Sequence, residues 1–180
     1  VDQELFDLIT KAKRGDKSAF ESLVERYKRH VYYQAVTMLN DTIEAEDVLQ
    51  EAFIKAYFSL ENLKSSYAFT SWLSRIVYNL CNDRIKKRDR EKVVVSEWLD
   101  NKIENMGDSK LPIEQKQMQI DLYQAMKSLS PEHRSAIILR EVHGYSYQDI
   151  AEIMGVPEGT VKSRIHHARL TLREELKKEG

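Results

Sequence analysis

A helical period of apolar residues runs through most of this chain and fails once, between about Val93 and Leu111. That interruption constrains the fold more than any other feature. Val, Asp, Asn, Gly and Ser follow one another there without a sustained period, and Pro112 closes the stretch. A structureless run of about 20 residues is uncommon inside a compact domain. Residues 93–112 therefore read as a flexible linker between two domains, 1–92 and 113–180, with Val93-Val94-Val95 and Trp98-Leu99 able to dock on a neighbour.

Both flanks read as helices joined by short turns. Leu5, Leu8, Ile9 and Ala12 open the first helix, and Gly15-Asp16 breaks it. Asp16 or Ser18 caps the second, Ser18 having capping-box spacing with Glu21. Its stripe is Phe20, Leu23, Val24, Tyr27, Val31, Ala35 and Leu39, and Asn40-Asp41 ends it. A third helix, from about Ile43 to Leu60, turns Val48, Leu49, Ala52, Phe53, Ala56 and Tyr57 inward. A fourth begins near Tyr67 with Phe69, Trp72, Leu73, Ile76, Val77 and Leu80 inward; Ile85 continues it, and a break would fall around Asn79–Asn82. Past the linker a helix runs from about Ile113 to Leu129. Ser130-Pro131 then opens another, carrying Ala136, Ile137 and Val142 and stopping at His143-Gly144. Ser146 with Asp149 caps a short helix that Gly155 ends, and Pro157 opens the last one, reaching about Lys178. With only 6 Gly and 3 Pro in 180 residues and 32% charged residues, an all-α chain is expected.

Composition removes whole classes of function. The formal net charge is -1, which excludes a uniformly basic nucleic-acid binder but not one with segregated charge. Cys81 is the sole cysteine, so there is no internal disulfide, and no Cys/His spacing suggests zinc. No Gly-rich phosphate loop and no nucleophile-base motif is present. Glu132-His133 and the pair Glu141 and His143 read as helix-end residues. No catalytic site, metal or cofactor is expected, and the chain is not read as an enzyme. The start, Val1-Asp2-Gln3-Glu4, lacks a signal-peptide pattern, and no run approaches the roughly 20 apolar residues that span a bilayer. The expected setting is the cytoplasm, without membrane insertion.

Three constellations carry chemistry. In the strongest, Ser146 to Arg169, a short helix, a tight turn and a longer helix follow in succession. A helix-turn-helix needs a small residue at the helix crossing (Ala151), a residue tolerating the turn (Gly155) and apolar residues locking the second helix down (Val161 and Ile165). At 100° per residue, Val161, Ile165, Ala168, Leu172 and Leu176 share a face. Thr160, Ser163, His166 and His167 lie opposite, with Lys162 and Arg164 on the flanks and Arg169 near the core edge. Small polar and basic residues suit a major groove. The second constellation is Arg84 to Lys92, six basic residues and two acids, following a helix with Tyr67, Phe69, Trp72 and Tyr78. Basic groups neutralise phosphates and aromatics stack on unpaired bases; taken singly, Trp72 and Phe69 read as core and the basic run as a solvated helix end. The third is the acidic start of the third helix, Asp41, Glu44, Glu46, Asp47 and Glu51, which suits the helix dipole. On that helix Gln50, Glu51, Ile54, Lys55 and Phe58 form an outward face that resembles a protein-docking surface.

Together these segments resemble the extracytoplasmic-function group (group 4) of the sigma-70 family, over nearly the whole length. Asp47-Val-Leu-Gln-Glu-Ala-Phe-Ile-Lys-Ala-Tyr57 resembles the family's polymerase-clamp-binding helix, and Phe69-Thr-Ser-Trp-Leu-Ser-Arg-Ile-Val-Tyr-Asn79 its promoter-opening segment. Ser130-Pro-Glu-His-Arg134 through Gly144, Tyr145, Ser146 and Tyr147 is similar to the entry to its C-terminal domain. Pro157-Glu-Gly-Thr-Val-Lys-Ser-Arg-Ile-His-His-Ala-Arg169 is similar to its recognition helix. The resemblance implies two helical domains, sigma-2 (1–92) and sigma-4 (113–180), joined by the linker, with no intermediate sigma-3. It implies core polymerase binding through Asp47, Gln50, Glu51, Ile54 and Lys55 on the clamp helices, and through sigma-4 on the flap. It implies minus-ten recognition and melting by Tyr67, Trp72, Arg75, Asn79, Asn82, Arg84, Lys87 and Arg88. It implies minus-thirty-five reading by Lys162, Ser163, His166 and His167, to which the helical wheel adds Thr160, Arg164 and Arg169. An anti-sigma factor, often membrane-bound, is the implied regulator, and a stress or envelope response the implied regulon. Relatives often carry a bulky or basic pair where this chain has His166-His167, so promoter sequence is not carried over. The competing reading is a stand-alone helix-turn-helix regulator, which would place a sensor or dimer domain where this chain has a basic-aromatic patch and an acidic docking helix.

Overall fold

The computed structural model describes residues 2–91, 121–122 and 124–178. The linker 93–112, with its Val93–Val95 and Trp98-Leu99 segments, and the start of the helix expected from Ile113 lie outside the described residues. Among those described, the chain is helical and has no strands. The helices are α1 (Gln3–Lys13), α2 (Lys17–Leu39), α3 (Thr42–Ser59), α4 (Phe69–Glu91), α5 (Pro131–Ile137), α6 (Tyr147–Met154) and α7 (Glu158–Lys178). Residues 121–122 and 124–127 are helical as well.

Local chemistry sets the helix ends. Asp2, Asp16 and Asp41 cap α1, α2 and α3 by accepting from backbone N–H groups that have no partner inside the helix. Asp16 rather than Ser18 does this for α2, its carboxylate accepting from the Ala19 N–H. Asn40 stops α2 in the left-handed conformation at φ 57°, a region Asn tolerates better than most side chains. Ser146 and Asp149 form the reciprocal capping box of α6.

Three details depart from the sequence expectation. No break occurs at Asn79–Asn82: α4 is continuous from Phe69 to Glu91, because Val77, Leu80 and Cys81 are buried on its inner face. The helix begun at Pro131 widens into a π-turn over Ile138–Val142, which leaves Val142 exposed while Ile138 and Leu139 stay buried. Tyr57 is exposed, its ring meeting the edge of Phe20 at 5.1 Å.

Helices α1–α4 form one unit, with α2 against α1, α3 and α4; α5–α7 form a second, with α7 against α5 and α6. The units meet where α6 lies on α4 and the π-turn on α2. One apolar cluster runs through both, from Leu23, Val31 and Leu73 to Ile150, Ile153 and Ile165. Leu129, Ile137 and Ala168 form a smaller second cluster.

Candidate nucleic-acid and polymerase interfaces

Helix α3 presents Asp47, Gln50, Ile54 and Lys55 to solvent along one stripe, with Glu51 half-buried among them. Ile54 is 58% and Phe58 75% exposed. Apolar side chains on an outward stripe of a helix already buried along Val48, Ala52, Phe53 and Ala56 add nothing to this core. They can anchor a protein partner.

Helix α4 has three faces. The inner face packs the N-terminal unit. A second meets the C-terminal unit through Ser74, whose hydroxyl hydrogen-bonds that of Tyr145, and Tyr78, which lies in the field of Arg164 and Glu132 and whose phenol burial pushes upward. The third stays open: Arg75 and Asn79 are exposed, Trp72 and Asn82 half-buried. Positions 72, 75, 79 and 82 fall within one narrow arc of the helix. Lys86, exposed and on the same arc, extends the stripe by a turn. The sequence reading passed over it inside a run of cations, and a helical wheel carried past Asn82 would have found it. An indole, two amides and two cations in line can stack on bases, pair with base edges and hold phosphates. Tyr67 is exposed at the amino end of this face, its ring 6.0 Å from that of Phe6.

Arg84 and Arg88 lie off that stripe and hold the unit together. Arg84 donates to Glu51 at 3.0 Å. Burial pushes the Glu51 carboxyl up, but the Arg84 guanidinium and the Lys55 ammonium outweigh it and leave the group below its ordinary value. Arg88 donates to the Leu39 carbonyl at 2.7 Å, to Glu44, and lies 3.8 Å from Asp41. It thus caps the carbonyl end of α2 while neutralising the start of α3. Lys87 is exposed, 4.0 Å from Glu91.

The second unit builds the turn the sequence called for. Gly155 ends α6 at φ 67°, a conformation that strains any side chain bearing a Cβ, and the Val156 N–H reaches the Ala151 carbonyl at 3.1 Å. Val161, Ile165 and Ala168 are buried, so the turns carrying Lys162, Ser163, His166 and His167 face outward, all four exposed. Thr160 and Arg164 are half-buried. Lys162 pairs with Glu158 at 2.8 Å, which raises its pKa, and sits 5.8 Å from the Tyr147 ring. His167 stacks on His133 at 5.9 Å, and the His166 ring meets its edge at 5.7 Å. Arg169 ion-pairs with Glu141 of the π-turn. Leu176, assigned by the wheel to the core face, is 40% exposed. No group of three or more His, Cys, Asp or Glu side chains among the described residues could hold a metal. No helix among them is long and apolar enough to cross a membrane.

Comparison with known proteins matches this arrangement. Residues 23–91 match the Sigma-70 region 2 family and residues 119–172 the Sigma-70, region 4 family. The chain is 34% identical over 177 residues to the ECF RNA polymerase sigma factor SigW of Bacillus subtilis, covering 94% of this chain and 95% of the relative. It is 36% identical over 170 residues to the RNA polymerase sigma-H factor of Pseudomonas aeruginosa, covering 90% and 88%. Among solved structures it resembles the sigma factor RpoE of Bartonella quintana, in complex with the anti-sigma factor NepR, with TM-score 0.69 and 29% identity over 88% of this chain and 96% of that one. CnrH in complex with the cytosolic domain of CnrY shares the fold, with TM-score 0.73 and 21% identity over 99% and 100%.

Proposed function

The chain belongs to the extracytoplasmic-function sigma factors of the sigma-70 family, non-enzymatic proteins that direct RNA polymerase to promoters, and on that premise we propose how its surfaces divide the work. The α3 stripe of Asp47, Gln50, Glu51, Ile54 and Lys55 docks on the polymerase clamp helices. The open face of α4, from Trp72 through Asn79 to Lys86, takes the minus-ten strand as single-stranded DNA, with Tyr67 at its edge. Lys87 lends charge beside it, while Arg84 and Arg88 act mainly by fixing α4 against α3. Helix α7 enters the major groove of the minus-thirty-five element. Thr160, Ser163, His166 and His167 read it, Lys162 and Arg164 hold phosphates or a guanine edge, and Arg169 anchors the backbone.

The observation that carries this reading is the open stripe on α4. It presents amides and cations in one line on the outside of the N-terminal unit, with the half-buried Trp72 indole at its end packed against Phe69. The domain division follows the same logic: 1–92 opens DNA, 113–180 reads duplex, and 93–112 links them. The relative solved with an anti-sigma factor supports a protein partner of that kind for this chain also; the sigma factor itself is placed by this reading in the cytoplasm, with a stress or envelope regulon as its output. Run-off transcription with core polymerase on a promoter library tests the whole. Sequence-selective initiation that requires the chain is expected; tight promoter binding without polymerase would instead mark a stand-alone regulator.

A further inference from the structure

The seam between the two units contains a polar cluster in otherwise apolar surroundings. His30 of α2 places Nε2 2.9 Å from the Tyr145 hydroxyl and 3.2 Å from the Ser74 hydroxyl, and those two hydroxyls are bonded to each other. Tyr145 and Ser74 are buried. The His143 ring lies 5.0 Å from that of His30, edge to face, and its buried Nε2 has no hydrogen-bond partner among the described residues. Gln34, fully buried beside them, donates to the Ser74 carbonyl at 3.0 Å. His30 and Ser74 belong to the N-terminal unit, His143 and Tyr145 to the C-terminal one. The cluster therefore exists only while the units touch.

We propose that His30, Ser74, His143 and Tyr145 form a latch that holds the two units closed and that protonation of its histidines releases it.

An imidazolium at either position would be buried next to another imidazole. Burial pushes His143 down to about 4, with His30 adding to the effect, and burial lowers His30. The groups facing the cluster offer little compensation. From α2 come Tyr27, whose ring meets His30 edge-on at 6.3 Å, and Gln34; from α4, Ser74. From the loop before α6 comes Tyr145, its phenol pushed up to about 12 mainly by burial and hence neutral. The nearby charges oppose each other: Arg140 donates to the Tyr145 carbonyl at 2.8 Å, and Asp149 of α6 acts on the Tyr145 phenol. Both histidines thus titrate lower in the closed state than in an open one, where the ordinary value is about 6.5. Closure is favoured in full above about pH 6.5 and is lost as pH falls toward 4. The closed-to-open ratio falls by at most about tenfold per pH unit for each histidine that takes a proton.

Closure bears on promoter binding. Elements named minus ten and minus thirty-five lie about 25 base pairs apart, roughly 85 Å at 3.4 Å per pair. With α6 resting on α4 and Arg164 beside Tyr78, the two DNA-facing helices cannot reach across that span. The latch must open first.

The test uses the full chain with donor and acceptor dyes at Glu21→Cys and Glu174→Cys, both exposed positions on α2 and α7. Cys81 is buried and its thiol pushed up to about 12, so it does not compete for label. The inter-dye distance found at pH 7.5 is expected to lengthen between pH 6.5 and 4.5 with helicity by circular dichroism unchanged. Adding His30→Gln and His143→Phe together should flatten that transition, and Tyr145→Phe should move it to higher pH. A distance insensitive to pH, one that changes only as helicity is lost, or an acid transition surviving in the double histidine variant would each overturn the proposal. None of these outcomes depends on transcription, so the latch and the sigma-factor assignments fail separately.

Discussion

Arg84 of α4 donates to Glu51 of α3 at 3.0 Å, which ties the helix proposed to take the open strand to the helix proposed to dock on polymerase. Each partner keeps part of its side chain in solvent. Solvent screening therefore limits the pair to about 0.5–1 kcal/mol. A double-mutant cycle with Arg84→Gln and Glu51→Gln, read by urea denaturation, should return a coupling of that size. Because Glu51 titrates lower in the folded chain than unfolded, this stabilisation is present above the unfolded carboxylate value and is lost as pH falls through the folded one. A coupling that persists unchanged at pH 3 would contradict it.

Replacing Gln50 and Ile54 by Ala should weaken core polymerase binding by about 1–3 kcal/mol. The melting temperature should hardly move, since Ile54 is mostly exposed and contributes little to the core. Titration with core enzyme alongside a thermal melt checks both halves. Unchanged affinity would remove the α3 stripe from the interface.

Asn79 sits exposed in the middle of the open α4 stripe. Asn79→Ala should lower open-complex formation while leaving duplex binding by the C-terminal unit intact. Lys86→Ala should weaken single-strand binding for all sequences and flatten its salt slope by roughly 0.7. Permanganate footprinting reads the first effect and a salt titration on single-stranded DNA the second. Wild-type permanganate reactivity in the Asn79 variant would refute its assignment.

His166 and His167 should set base preference. Substituting either by Ala is expected to cost about 1–3 kcal/mol and relax selection at one position of the minus-thirty-five element. Arg169→Ala should lower affinity for all sequences alike and reduce the salt slope by roughly one unit. It also releases Glu141 of the π-turn from its ion pair. Selection from a randomised element separates these results; unaltered preference in both histidine variants would assign the reading elsewhere on α7.

Helix ends and faces were legible because they are local. Asp16 and Ser146, both among the caps expected, accept from backbone N–H groups three residues on. The apolar period assigns a face to α2, α3 and α7 from the 3.6-residue turn alone. The helix-turn-helix was legible for the same reason, its turn, cap and lock all falling between Ser146 and Ile165. The sorting of the Arg84–Arg88 cluster was not. Arg84 and Arg88 turned inward to Glu51 and Glu44, and that pairing depends on where α3 lies.

What the sequence by itself determined, then, is the apolar stripe of α2, the capping box and turn around α6 and the face that α7 turns away from its core, since those rest on relations between near neighbours in the chain. Only the tertiary structure decided that His30 would meet Tyr145 and His143. The polar cluster at the seam joins residues more than a hundred positions apart, and no periodicity links them. Two distant surfaces find each other by burying apolar area; of the polar side chains caught between them, His30, Ser74 and Tyr145 satisfy one another, while the buried His143 Nε2 has no partner among the described residues.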